Sequence, residues 1–264
     1  MIDLHTHVLP GLDDGAQSIE DSLALARAAH DAGTSVLVAT PHVREDYPFD
    51  LGRIGEGVEA LNDLLRGEAI PVEIAAGGEV SITRVIELET SELRRAQLNE
   101  GPYLLVESPY NHTGGLLEQA LFEAQLKGFR PILAHPERSP CFLGDLPRLT
   151  TLVERGVLCS VTAGSMEGSF GGTIRDFVAS LFEAGLVHDV ASDAHGVHSR
   201  APNLSRGFER LEEQMPGLGR QAHWYAREAP AAILAGTDLP RRPDLVRRSK
   251  SGLRAFRTLR RMLG

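Results

Sequence analysis

The sequence predicts an α/β fold: a parallel, TIM-like βα barrel of seven strands, with further helices at its C-terminal side. Three observations carry this expectation. Short runs rich in Val, Ile, Leu and Ala alternate with helical-period segments through the first two hundred residues. The 264 residues, 42% of them hydrophobic, suit one barrel, a fold that takes about 250 residues. Finally, six of the seven predicted strands end in His, Asp or Glu, and a barrel gathers its strand ends at one mouth.

The first strand covers Ile2 to about Thr6, and its His5 and His7, two residues apart, share one face. Neutral imidazole is the commonest metal ligand, so such a pair at a strand end points to a metal site. Pro10, Gly11 and Gly15 break the strand into a loop that carries Asp13 and Asp14 back over its end. Ser18 caps a helix running to Gly33, with Glu20 and Asp21 in its first turn and an apolar stripe of Ile19, Leu23, Ala26, Ala29 and Ala32. A strand over 35–40 follows and ends in Pro41-His42. A helix over 51–65 leads to strand 72–76, which ends in Gly77-Gly78-Glu79. The same grammar gives helix 83–98, strand 103–106 ending in Glu107, helix 115–127, and strand 131–134 ending in His135-Pro-Glu-Arg138. Helix 146–155, strand 157–161 and helix 173–184 come next, before strand 187–191 and Ser192-Asp193-Ala194-His195. From Ala201 the pattern is helical, over 204–215, 218–227 and 229–235, and these helices are expected to close one side of the barrel. The division is one domain over 1–240 and a basic tail over 241–264.

Charge is unevenly spread. The tail nets +8, so an overall −9 leaves −17 for residues 1–240, which argues against nucleic acid as a partner. No apolar run approaches the about 18 residues of a membrane span, and there is no basic stretch typical of a signal peptide, so a cytoplasmic protein is expected. Cys141 and Cys159 are too few for a disulfide framework. Neither is followed by arginine at the sixth position, where Pro147 and Ser165 stand, so thiolate phosphatase chemistry is not expected.

The set His5-x-His7, Asp13-Asp14-Gly15, Ala39-Thr-Pro-His42, Gly78-Glu79, Glu107, His135-Pro-Glu-Arg138 and Ser192-Asp-Ala-His195 resembles the polymerase and histidinol phosphatase (PHP) superfamily. Within it the chain is similar to the CpsB/YwqE group of bacterial protein-tyrosine phosphatases found with capsule and exopolysaccharide genes. The likeness covers about residues 1–235. It implies a distorted seven-stranded barrel holding three divalent metals, usually manganese. It assigns His5, His7, Glu79 and Asp193 to the first metal. Glu107 and His135 go to the second, with Glu79 as a bridge, and Asp14, His42 and His195 to the third. Arg138 and Arg200 match phosphate-contacting arginines. It also implies a phosphotyrosine protein as substrate, the tail of a bacterial tyrosine kinase being the expected partner. Three features depart from the group: Val43 where a second His is frequent, Ala229-Pro230 in place of Asn-Pro, and the arginine-rich tail.

The residues read directly give compatible chemistry. Asp14, Glu79, Glu107 and Asp193 crowded in one mouth would repel each other, and three divalent ions would leave a net charge of about +2 to meet a phosphate. Five histidines and four carboxylates without thiolate suit manganese, iron or zinc. A hydroxide held between such ions attacks phosphorus in line, and phenolate, with a conjugate-acid pKa of about 10, leaves without a strong general acid.

Other residues are weaker. His30, His188 and His223 have no motif support, and His112 and His198 lie on loops near proposed site residues. Asp3 either orients a ligand histidine or solvates a turn, and Asp13 is an alternative to Asp14. Tyr110 and Phe170 on mouth loops could pack a substrate ring, although ordinary loop packing is favoured. Leu253, Phe256, Leu259 and Met262 recur at helical spacing among arginines. Peripheral membrane contact through this tail, a kinase dock, a lid and a solvated tail all stay open, as does a homo-oligomer. Two other functions remain as alternatives: a PHP phosphoesterase on a small metabolite such as histidinol phosphate, and a non-catalytic metal-binding scaffold.

Overall fold

The computed structural model describes residues 1–111 and 115–249. His112 and the apolar tail residues Leu253, Phe256, Leu259 and Met262 lie outside the described residues. Nine strands form two parallel sheets. Strands β1 (Ile2–Thr6), β2 (Val36–Ala39) and β4 (Glu73–Ala76) make the smaller one, in the order β1-β2-β4. The larger runs β3-β5-β6-β7-β8-β9, with β3 (His42–Val43), β5 (Glu79–Val80), β6 (Tyr103–Glu107), β7 (Arg130–Ala134), β8 (Leu158–Thr162) and β9 (Asp189–Ala191).

The expected seven-stranded barrel is therefore not present as one closed hydrogen-bonded sheet. Two predicted strands are each interrupted, and the residues at the breaks say why. Pro41 has no N–H to offer a ladder, so the strand stops at Ala39 and restarts at His42. The parallel break falls at Gly77-Gly78. A Cβ on Gly77 would lie 2.7 Å from Leu98 Cδ2, and one on Gly78 2.9 Å from Ala96 Cβ, so the chain here needs residues without side chains. At their far edges the two sheets touch: Asp193 N–H donates to His5 O at 2.9 Å, and His7 N–H donates to Ala194 O at 2.8 Å.

Helices fill most of the connections: α1 (Ile19–Asp31), α2 (Gly52–Gly67), α3 (Ile82–Glu87), α4 (Thr90–Leu93), α5 (Leu117–Leu126), α6 (Leu146–Glu154), α7 (Ala163–Glu167) and α8 (Gly172–Glu183). Ser18 caps α1 in a reciprocal box with Asp21, as its sequence predicts. The single helix expected over 83–98 is two short ones, because Leu88 and Glu89 are extended and Glu89 with Glu92 caps the second. Helix α7 was not foreseen; Thr162 caps it through Ser165 N–H. After β9 come α9 (Leu204–Glu212) and α10 (Ala229–Leu234). The helix expected over 218–227 is a 3₁₀ turn at Gly219–Gln221 and a wide π turn at Trp224–Glu228. Pro230, whose ring nitrogen donates nothing, follows that turn.

Strand residues alternate between two cores, as period-two geometry requires. Leu4, Val38, Leu105 and Ile132 pack inward with Leu98 and Ile233. Leu104, Val106, Leu133 and Val161 face the helices. Helix α10 lies at the N-terminal ends of the strands, where Ile233 joins the inner core and the Tyr103 hydroxyl donates to the Thr237 carbonyl at 2.8 Å. Residues 241–249 continue along α8: Arg248, almost wholly buried, grips Glu183 and donates to Ser180 Oγ at 2.7 Å. No described helix is long and apolar enough to cross a membrane.

Candidate active site

All nine predicted ligands converge at the C-terminal ends of the strands. Four atoms form the centre. His5 Nε2 lies 3.2 Å from His7 Nε2, 3.2 Å from Glu79 Oε2 and 3.3 Å from Asp193 Oδ1. His7 Nε2 is 3.6 Å from Glu79 Oε2 and 3.3 Å from Asp193 Oδ1. Donors about 2.1 Å from one cation stand about 3.4 Å apart in a tetrahedron, so His5, His7 and Asp193 fit a single divalent ion, with Glu79 beside both imidazoles. The two carboxylate oxygens are buried and accept no hydrogen bond, which leaves them free to ligate. The residues fit the metal chemistry.

Two further groups adjoin this one through Glu79. Its Oε1 is 2.7 Å from His135 Nε2, and its Oε2 is 2.9 Å from His42 Nδ1. Glu107 can share a cation with His42 and Glu79, whereas His135 can share one with His5 and Glu79. The last group joins His7, Asp14, His42 and His195. Asp14 Oδ1 stands 3.5 Å from His42 Nε2 and 3.4 Å from His195 Nε2.

The alternatives left by the sequence separate in the structure. Asp13 faces away from the cluster. Its Oδ2 meets His7 Nδ1 at 2.6 Å and accepts from His42 N–H at 2.9 Å, while Oδ1 accepts from Gly15 N–H at 2.9 Å. Gly15 makes this loop possible, because a Cβ there would collide with the His7 backbone. Asp3 is fully buried and holds backbone rather than imidazole, accepting from Ser192 N–H at 2.9 Å and His5 N–H at 3.3 Å. His188 is buried against Cys159 N–H, and His223 is exposed, so neither belongs to the site. His198 lines a cavity of about 490 Å³ that opens beside Asp14, His195 and Arg200.

Arg138 and Arg200 both reach Asp193 Oδ2, Arg138 Nη2 at 2.5 Å, and Arg200 also lies 2.9 Å from His195 Nε2. Arg44 was not singled out by the sequence. It donates to Glu107 Oε1 at 2.9 Å and is braced by Asp46. Its position two residues past His42, on the same face of extended chain, was the available signal. The left-handed backbone of His135 (φ 37°), Asp193 (φ 54°) and Arg200 (φ 54°) turns these side chains into the mouth.

The electrostatics follow from crowding. Burial opposes the charge on Glu79 and Asp193, yet the His5 imidazole and other neighbours hold both well below the usual carboxylate range. Burial and the Glu79 charge push Glu107 up to about 7. Burial lowers His135 to about 4, with Arg138 adding to it, and lowers His195 to about 3, with His7 and Arg200 adding to it. Both rings are therefore neutral near pH 7, the form that ligates. Burial opposes the proton on His7, but Asp13 and Asp193 raise it to about 10, and Asp13 falls to about 2 in return. The cysteines take no part: both are buried, and burial pushes both thiols up.

Residues 1–228 match the family model for capsular polysaccharide synthesis, CpsB/CapC. The tyrosine-protein phosphatase YwqE of Bacillus subtilis is 35% identical over 92% of this chain and 95% of its own. The tyrosine-protein phosphatase CpsB of Streptococcus pneumoniae is 27% identical over 81% and 90%. A crystal structure from the work on YwqE and CpsB, described as metal-dependent tyrosine phosphatases, superposes with a TM-score of 0.82 at 34% identity. It covers 95% of this chain and 100% of that one.

Proposed function

We propose that this chain, which belongs to the capsular polysaccharide synthesis family CpsB/CapC, is a metal-dependent tyrosine-protein phosphatase. The observation that carries the reading is the cluster of His5, His7, Glu79 and Asp193, with Arg138 and Arg200 both donating to the buried Asp193 carboxylate. His5, His7, Glu79 and Asp193 would hold a first divalent ion. Glu107 and His135, which stand in two groups sharing Glu79, would hold a second with that carboxylate, and Asp14, His42 and His195 a third. Manganese suits this oxygen- and imidazole-rich set, and iron or zinc would also be accepted. Such ions supply positive charge for the phosphoryl oxygens and lower the pKa of an attacking water.

The protein's own groups do the rest. Arg138 and Arg200 bind phosphoryl oxygens with charged, forked hydrogen bonds and fix the phosphorus for in-line attack. Asp13 holds the His7 ring so that Nε2 faces the cluster. Arg44 keeps Glu107 turned into the mouth. The leaving phenolate needs no strong acid, since its conjugate acid has a pKa of about 10. The two sheets act as one distorted seven-position barrel, in which the breaks at Pro41 and Gly77-Gly78 bring His42 and Glu79 inward. Residues 1–240 form the catalytic unit. We place its work in the cytoplasm, on the tyrosine-phosphorylated tail of a kinase that governs capsule or exopolysaccharide assembly.

The test is a substrate panel with the manganese-loaded protein. A phosphotyrosine peptide should be hydrolysed, histidinol phosphate should not, and chelation should abolish turnover. The doubly substituted Cys141→Ser, Cys159→Ser protein should retain activity. Preference for histidinol phosphate, or activity that survives metal removal, would overturn the reading.

A further inference from the structure

The geometry points to an aromatic subsite made by Tyr110 and Phe170, which receives the ring of the leaving group and sets the preference for aryl over alkyl phosphates. This rests on the phosphatase reading above and names what the site selects.

Tyr110 and Phe170 belong to the few large apolar side chains that stay exposed among the described residues, at 55% and 38%. Both touch groups of the site. Tyr110 stacks on the His135 ring, with centroids 5.8 Å apart and planes 27° from parallel. Phe170 carries the Arg138 guanidinium over its face, 4.9 Å from the centroid. Phe170 also leans on the first turn of α7, where a Cβ on Gly164 would stand 3.3 Å from its Cε2.

Strand order explains the arrangement. Tyr110 follows β6, Arg138 follows β7 and Phe170 follows β8, and these strands are neighbours in the larger sheet. The phosphate-binding arginine is thus flanked on its two sides by aromatic residues. A phosphate held by Arg138 projects its ester substituent outward between those sides. An aryl substituent meets two π faces there, whereas an alkyl chain leaves both rings in water. Neither ring is buried in a core: more than a third of each stays exposed beside the site groups that it touches.

The test uses full-length, manganese-loaded protein and three probes: inorganic phosphate, methylphosphonate and phenylphosphonate, measured by calorimetry and by competition with turnover. The wild type should bind phenylphosphonate more tightly than methylphosphonate. Tyr110→Ala and Phe170→Ala should each reduce that preference by about three- to tenfold, and the double variant should nearly abolish it. Inorganic phosphate should bind all variants alike, and Tyr110→Phe, which keeps the ring, should behave as wild type. An equal loss for all three probes, or an unchanged preference in the double variant, would overturn the subsite. A wild type that binds the probes but fails to hydrolyse phosphotyrosine would refute the phosphatase reading instead. A wild type with no aryl preference would refute the subsite even where phosphotyrosine is turned over.

Discussion

Replacing Asp13 should weaken metal binding without touching a ligand. Asp13 makes three contacts: His7 Nδ1 at 2.6 Å, and the amides of His42 and Gly15, each at 2.9 Å. Asp13→Ala removes all three. Two buried amides left unpaired cost about 1–3 kcal/mol each, so the fold itself should lose several degrees in Tm. The freed imidazole should lower metal affinity by about 10- to 100-fold, the usual effect of losing such a support. Asp13→Asn tests the His7 contact with a side chain of the same shape. Its one carbonyl oxygen can still accept from Gly15 N–H at the Oδ1 position, whereas its NH2 then stands where Oδ2 met His7 and His42 and favours the His7 tautomer with the proton on Nε2, the nitrogen that faces the cluster. This variant leaves one amide unpaired instead of two, so it should lose less stability in EDTA than Asp13→Ala and still lose metal affinity. Manganese titrations of chelator-stripped protein, with thermal melts alongside, read both quantities. Wild-type manganese affinity in both variants would refute the argument that Asp13 works through His7.

Two more outcomes follow from the geometry. Arg138→Ala or Arg200→Ala should lower kcat/KM on a phosphotyrosine peptide by about 10- to 150-fold, the value of a charged hydrogen bond made in the transition state. Both arginines touch Asp193, so metal content is measured in parallel; metal lost together with activity would make them supports of that carboxylate. Asp189, fully buried and bonded to Ser160, has its pKa raised from 3.8 to about 8 by burial, so the folded protein keeps a proton that the unfolded chain sheds above about 4. Its contribution to stability is thus complete below that range and lost as pH rises towards 8. Asp189→Asn, which keeps the acceptor for Ser160, should flatten this slope and stabilise the metal-free protein above pH 8 by on the order of a few kcal/mol. Parallel pH–stability curves for variant and wild type would contradict this.

Much of the candidate site was legible because most of its residues stand at strand ends, and strand ends can be read from period and punctuation. His5 with His7, His42, Glu79, Glu107, His135 and Asp193 with His195 were all found this way. Distances across the mouth were not legible. The pattern gives each strand's end but not how far it lies from the others: in the structure Glu107 comes within reach of His42 and Glu79, and His135 within reach of His5 and Glu79. Nor could adjacent residues be told apart: Asp13 and Asp14 differ only in which way a turn pinned by Gly15 aims them. The number of strands was misjudged for a related reason. Pro41 and Gly77-Gly78 look like strand ends, and only tertiary packing shows chain resuming beyond them. The contacts of Asp3 with Ser192 and of Arg44 with Glu107 were not legible, because each joins residues remote in sequence.

The left-handed backbone at His135, Asp193 and Arg200 has an evolutionary consequence. Residues with a Cβ are held there at a cost of about 1–3 kcal/mol each. Glycine would relieve that cost at any of the three, but it would delete an imidazole, a carboxylate or a guanidinium of the proposed metal and phosphate site. A descendant released from catalysis therefore has a stabilising path open at three positions, and drift towards glycine there should be among its early marks. A lineage that keeps all three side chains against this pull is still being selected for turnover. Three backbone angles thereby become a way to tell working enzymes from retired ones by sequence alone.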